Sequence, residues 1–201
     1  MYKKVSKSSI KAINNLLQLQ AALGNTLGVN NIQQNRYMRD SAIGDLVGVD
    51  KMNLDLHGWD GVFKNGTNFE NKNIKATSKS GISFALKFQD TSAGKLQELY
   101  NGVFAVNSFW GDNGKPAFLM VGNTKMVGDY LEESYNPDSR HSSTVSMSRC
   151  LNRGFKLVAT DYTKQQVIDI ITEKFPRLGK SLTTADIYTT KDLPSLVASM
   201  I

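Results

Sequence analysis

A mixed α/β fold in one domain spanning 1–201 is what the sequence predicts, and three observations point to it. Short apolar runs separated by turn residues fill the middle of the chain. Stretches with helical spacing flank them, and no internal repeat or low-complexity linker divides the 201 residues. Hydrophobic residues make up 40% and charged residues 21%, which suits a packed core and excludes a disordered chain. The expected architecture is a mixed central β-sheet containing an antiparallel meander, flanked by helices.

Taken in order, Ile10, Ile13, Leu16, Leu17 and Leu23 predict a helix over 8–23, with Ser8 or Ser9 as N-cap and Gly24 as its stop. A second helix over 37–49 is weakened by Gly44. The runs 56–63, 68–76 and 82–88 read as three successive strands of a meander, reversing at Asn65-Gly66 and Ser80-Gly81. Residues 91–100 form a helix capped by Thr91 or Ser92, followed by strands 103–110 and 116–123. A helix at 126–135, a strand at 155–160 and a helix from Thr163 to Pro176 complete the pattern. In that last helix Val167, Ile170, Ile171 and Phe175 share one face. Residues 183–201 resist assignment.

The net charge of +6 favours a polyanionic partner or else a solvated basic surface. Cys150 is the only cysteine, which excludes an intramolecular disulfide and cysteine-rich zinc chemistry and predicts a buried, inert thiol in a reducing compartment. Asn14, Asn15, Gln18 and Gln20 interrupt the apolar run that a signal peptide needs, and no window could cross a bilayer, so a cytoplasmic protein with no membrane association is expected. With two histidines, His57 and His141, a His-rich metal site is excluded, and His57 is read as stabilising a turn. Residues 121–125 lack phosphate-loop spacing and read as a turn.

The chemically informative stretch is 57–75, with Asp60 opening one strand and Glu70-Asn71-Lys72 on the next. Phosphodiester hydrolysis needs charge neutralised on the phosphate and a deprotonated water, and carboxylates holding Mg²⁺ can arrange both. Glu70 and Lys72, two apart, share a strand face. Whether Asp60 joins them depends on the turn. A two-residue loop at Asn65-Gly66 sets Asp60 opposite Asn71. A three-residue loop at Lys64-Asn65-Gly66, with Gly66 left-handed, pairs Phe63 with Thr67 and sets Asp60 opposite Glu70. The sequence permits both.

Asp60-Gly61, a hairpin and then Glu70-Asn71-Lys72 resembles the PD-(D/E)XK nuclease superfamily, which includes many type II restriction endonucleases, over roughly residues 36–122. Trp59 stands where the motif has its nominal proline. The resemblance implies a restriction endonuclease-like fold with Asp60, Glu70 and Lys72 catalytic. It implies Mg²⁺, with Mn²⁺ as substitute, held by Asp60, Glu70, the Asn71 carbonyl and a further helix acid, Asp45 or Asp40. The expected activity is cleavage of double-stranded DNA by a type II restriction endonuclease, as a homodimer with a possible cognate methyltransferase. Repair, structure-specific, phage or RNA-directed nucleases share the core, and a non-catalytic DNA-binding protein is the alternative from another class. Lys64, Ser78, Lys79 and Lys87, with a second basic zone of Arg140, His141, Arg149, Arg153 and Lys156, are candidate DNA contacts or solvated loop charges. Residues 126–201 would complete the sheet and supply part of the recognition surface. Trp59, Trp110, Tyr37 and Phe109 could stack on bases, with core packing favoured for Trp110.

Overall fold

The order of local apolar alternation decides which strands are buried on both faces, and the centre of the fold follows from that. The computed structural model describes residues 1–27, 36–53, 58–78, 84–89, 92–135 and 142–201. In chain order these form β1 (Tyr2–Lys3), α1 (Lys7–Leu27), α2 (Arg36–Val47), β2 (Lys51–Asn53), β3 (Gly61–Val62), β4 (Asn68–Lys75), β5 (Leu86–Phe88), α3 (Ala93–Asn101), β6 (Phe104–Trp110) and β7 (Pro116–Asn123). A 3₁₀ turn (Thr124–Val127) leads into α4 (Gly128–Glu133). Then come β8 (Ser143–Val145), α5 (Met147–Asn152), β9 (Lys156–Ala159), α6 (Lys164–Lys174), α7 (Pro176–Ser181), β10 (Ile187–Thr189) and α8 (Leu193–Met200).

Eight strands make one mixed sheet in the order β1-β2-β3-β4-β6-β7-β9-β10. The β4/β6 and β9/β10 pairs are parallel and the other neighbours antiparallel. β6 is buried throughout, and its side chains alternate between two cores. Phe104, Val106 and Trp110 face Leu17 of α1, Ile43 and Val47 of α2 and Leu193 and Val197 of α8. Ala105 and Phe109 face Leu99 of α3, Leu131 of α4, Cys150 of α5 and Val167 and Ile171 of α6. Applied to β4, the same alternation sends Phe69, Asn71 and Asn73 toward α2 and Glu70, Lys72 and Ile74 toward α3.

Several sequence expectations need correction. The third strand of the expected meander, β5, does not pair with β4 and lies in a separate two-stranded sheet with β8. The meander is β2-β3-β4, one strand earlier, because the opposite edge of β4 pairs with β6. α1 starts earlier, with Ser6 Oγ accepting from the Ser9 amide, and runs through Gly24, which is buried. Gly44 does not weaken α2 but makes room in it, since a Cβ there would lie 2.4 Å from Met52 Sδ. Residues 121–123 end a strand rather than forming a turn. Cys150 is buried with its thiol pushed up to about 12 by burial, as expected of an inert core thiol.

The β3/β4 hairpin takes the three-residue loop. Phe63 N donates to Thr67 O at 2.9 Å, Gly66 N donates to Phe63 O at 3.0 Å, and Gly66 has φ +88°. Asn65 Oδ1 accepts from Thr67 N at 3.0 Å, which explains an Asn at that position. Phe63 is buried edge-on against Phe69 and Phe104, at 6.3 and 5.4 Å between centroids. A one-residue slip would expose that ring at a cost of about 2–3 kcal/mol. That exceeds the roughly 1 kcal/mol at stake in the turn, so packing fixes the register. A Cβ on Gly66 would meet nothing within 4 Å, so the cost of Gly66→Ala is conformational alone. We expect it to lower stability by about 1 kcal/mol in urea unfolding with an unchanged m-value; an unchanged midpoint would contradict the left-handed turn.

Candidate active site

β3 and β4 stay paired for two residue pairs only, Val62 with Asn68 and Gly61 with Phe69. Beyond them β4 continues along β6 as far as Lys75. Extending the register one step sets Asp60 opposite Glu70, at the fork where the strands part. There Asp60 Oδ2 accepts from Asn71 N at 2.8 Å, so a side chain takes the place of the missing ladder bond. A strand residue's N–H and C=O leave on the same side, so the Asn71 carbonyl is also directed to the fork.

α2 supplies the next layer. Asp40, 3% exposed, accepts from Asn71 Nδ2 at 2.8 Å and Asn73 Nδ2 at 2.7 Å. One turn earlier, Arg36 reaches Asp60 Oδ1 at 3.0 Å and Asp40 Oδ2 at 3.4 Å, bridging the two acids. Lys72 Nζ donates to Glu70 Oε1 and lies 5.6 Å from the Phe88 ring. Among the described residues, Glu70 Oε2 is buried without a hydrogen-bond partner, as is Oδ1 of Asn107, the β6 residue in register with Lys72.

Among the described residues, three buried carboxylates therefore meet Arg36 and Lys72 in direct ion pairs, while Arg39, which also feels the charge of Asp40, lies over the Trp110 ring at 4.6 Å. Burial first, then the charges of Glu70 and Asp40, push the Asp60 carboxyl up to about 7, against the pull of Asn71 N and Arg36. Burial likewise raises Asp40.

A cleft of about 950 Å³ opens in front of Glu70 and Lys72. Its walls carry the cations Arg36, Lys72, Lys75, Lys87 and Lys95 against the carboxylates Glu70 and Glu98. Trp59 Nε1 donates to Glu98 at 2.5 Å and the ring is 7% exposed, which makes it a fixed wall.

The structure thus brings Asp60 to Asn71 N and into the field of Glu70, beside Lys72. Glu70 and Lys72 line the cleft with Ser78 and Lys87, while Asp60 and Asn71 are not part of its lining. The structure does not bring in Asp45, which ion-pairs with Lys7 at 2.5 Å. Five residues turn an α-helix through about 500°, so Asp45 cannot share the face of Asp40. Lys64 sits in the hairpin loop beside a different hollow, shared with Lys7 and Ile201. Arg149 and Arg153 pair with Glu133 and Asp129 and stack on Tyr130, while Lys156 lies over Tyr188, so this basic zone is not gathered at the cleft. Lys79, Arg140, His141 and His57 lie outside the described residues. Trp110 and Phe109 are core side chains and cannot stack on bases; Tyr37 is partly exposed. The sequence reading missed Arg36, Asn73, Lys75 and Lys95. Arg36 and Asp40 stand four apart, a helical ion-pair spacing that could have flagged Arg36.

No protein-family model matches the chain, and no curated protein matches it. Among the described residues, no group of three or more His, Cys, Asp or Glu side chains is placed to hold a metal ion, and no helix is long and apolar enough to cross a membrane. The oxygens at the fork still suit Mg²⁺, which binds through one or two carboxylates and leaves the rest of its shell to water and phosphate. The unpartnered Glu70 Oε2 and the surplus negative charge are what such an ion would satisfy.

Without metal, the folded chain holds at Asp60, between about pH 4 and pH 7, a proton that the unfolded chain has released. Stability from this group therefore falls as pH rises through that window and is flat above it. Urea unfolding in chelator should show Asp60→Asn gaining on wild type by up to about 4 kcal/mol from pH 4 to pH 8. A constant difference across that range would contradict the charge imbalance.

Proposed function

We propose that the protein is a Mg²⁺-dependent endonuclease hydrolysing phosphodiester bonds of double-stranded DNA, with Asp60, Glu70 and Lys72 as its catalytic residues. The observation that carries this is the three-residue hairpin loop, since it alone sets Asp60 opposite Glu70 with Lys72 on the same strand face. Asp60, Glu70 and the Asn71 carbonyl would hold Mg²⁺ or Mn²⁺. Such an ion supplies positive charge at the phosphate and acidifies a bound water.

The chain's own residues do the rest. Lys72, with Nζ at Glu70, is placed to orient the attacking water and offset charge on the phosphate. Asp40 positions the strand through Asn71 and Asn73. Lys75, Lys87 and Lys95 line the cleft as phosphate contacts, which fix a duplex in place without reading its sequence. Resemblance to the PD-(D/E)XK superfamily supports a restriction endonuclease-like fold and a type II role, in which a homodimer would match a palindrome and a methyltransferase would protect host DNA. A non-catalytic DNA-binding protein is the second reading, favoured by the pairing of Arg36 and Lys72 with the very carboxylates a metal would need.

Incubation with supercoiled plasmid in Mg²⁺ or Mn²⁺ separates the two. Cleavage that falls by about 10²-fold or more in Asp60→Ala and in Lys72→Ala is expected; binding without cleavage in either metal would reject the enzyme. Arg36 occupies an oxygen of Asp60 as a resident cation, so Arg36→Ala should tighten Mn²⁺ binding by about tenfold or more in titration calorimetry. Weaker Mn²⁺ binding in that variant would show that Arg36 does not compete for the site.

A further inference from the structure

α1 carries two apolar faces, and the protein uses one of them. Ile10, Leu17 and Gly24 are buried against the rest of the domain. On the opposite side Ala12, Leu16, Leu19, Leu23 and Thr26 are exposed at spacings of four, three, four and three residues, the period of a coiled-coil seam. Leu16, Leu19 and Leu23 remain 46%, 66% and 54% exposed. From Ala12 to Leu27, about four turns, the helix contains no charged residue.

We propose that this stripe is a self-association surface on which a second copy of the chain docks through its own α1, antiparallel, with the twofold axis at Leu19. The absence of charge argues against the alternatives. A nucleic acid would require cations along the helix, and a lipid surface favours Lys or Arg along the apolar stripe, whereas Asn15 and Gln20 flank it here and Lys11 stands alone at its start.

The stripe is self-complementary about Leu19. Antiparallel pairing sets Leu16 beside Ala22 and Leu23 beside Asn15, large against small, with Ala12 beside Thr26 and Leu19 meeting its own copy on the axis. The charges agree with the same orientation. α1 has no basic residue in its last turn. Antiparallel pairing brings Lys11 of each copy beside that carbonyl-rich end of the other, where a cation is favoured. A parallel pair would instead set each Lys11 against its twin. Two four-turn helices bury on the order of 1,000 Å² in total, near the lower limit of specific interfaces, so the dimer should be reversible and micromolar. Association through α1 needs neither metal nor DNA; it gives the homodimer of the proposed function a surface, and it can fail without touching the proposed chemistry.

Sedimentation of the full chain, free of DNA and metal, from low micromolar to several hundred micromolar tests it. The mass should rise from monomer toward twice that value. Leu19→Glu and Leu19→Lys, each setting like charges across the axis, should raise Kd by about 10²-fold while leaving the thermal midpoint of the monomer unchanged. Mixing the two variants should restore association to within about tenfold of wild type. A wild-type chain monomeric throughout, a Leu19→Glu dimer of undiminished strength, or a mixture that fails to associate would each overturn the proposal.

Discussion

The constraint on which the site depends is an unbalanced charge at a strand fork. Asp40, Asp60 and Glu70 are buried together, and among the described residues Arg36 and Lys72 form the ion pairs with them. The imbalance follows from packing. Burial of Phe63 between Phe69 and Phe104 fixes the hairpin register, and the register sets Asp60 opposite Glu70. The parting of β3 from β4 leaves Asn71 N to a carboxylate. Removing three carboxylates from water is costly unless positive charge or a proton accompanies them. The elevated Asp60 is the protein's answer at neutral pH without metal; a divalent cation is the other answer available to oxygen ligands of this kind.

The reversal was legible in the sequence because the hairpin is local: Asn65-Gly66 announces it. The sequence left the two-residue and the three-residue loop both open, and burial of Phe63 against Phe69 and Phe104 is what decides between them. What was not legible depended on contacts distant in sequence. Leu86–Phe88 has the apolar pattern of a strand, but nothing in that pattern says its partner is Ser143–Val145 instead of β4. β2 is only three residues long, too short for a periodicity to register. Gly24 and Gly44 read as helix breakers, yet one is buried in the face of α1 that packs on the domain and the other leaves room for Met52, so tertiary packing overrode propensity. Choosing Asp40 over Asp45 required knowing which face of α2 meets the sheet. The arginines at 149 and 153 looked available as charges, but Glu133, Asp129 and Tyr130 engage them.

The site and α1 illustrate two kinds of incompleteness in one chain. At the fork, polar groups are buried with less compensation than they need, which is what the proposed cation would supply. On α1, Leu16, Leu19 and Leu23 are exposed on one face, which is what the proposed second copy would cover.

Diffraction from crystals soaked in Mn²⁺, with an anomalous difference map, tests the central claim most directly. The account predicts a peak in coordination contact with Asp60, Glu70 and the Asn71 carbonyl, and Arg36 withdrawn from Asp60. A fork in which Arg36 and Lys72 keep their carboxylates at saturating Mn²⁺, with no anomalous density between the two strands, would contradict it.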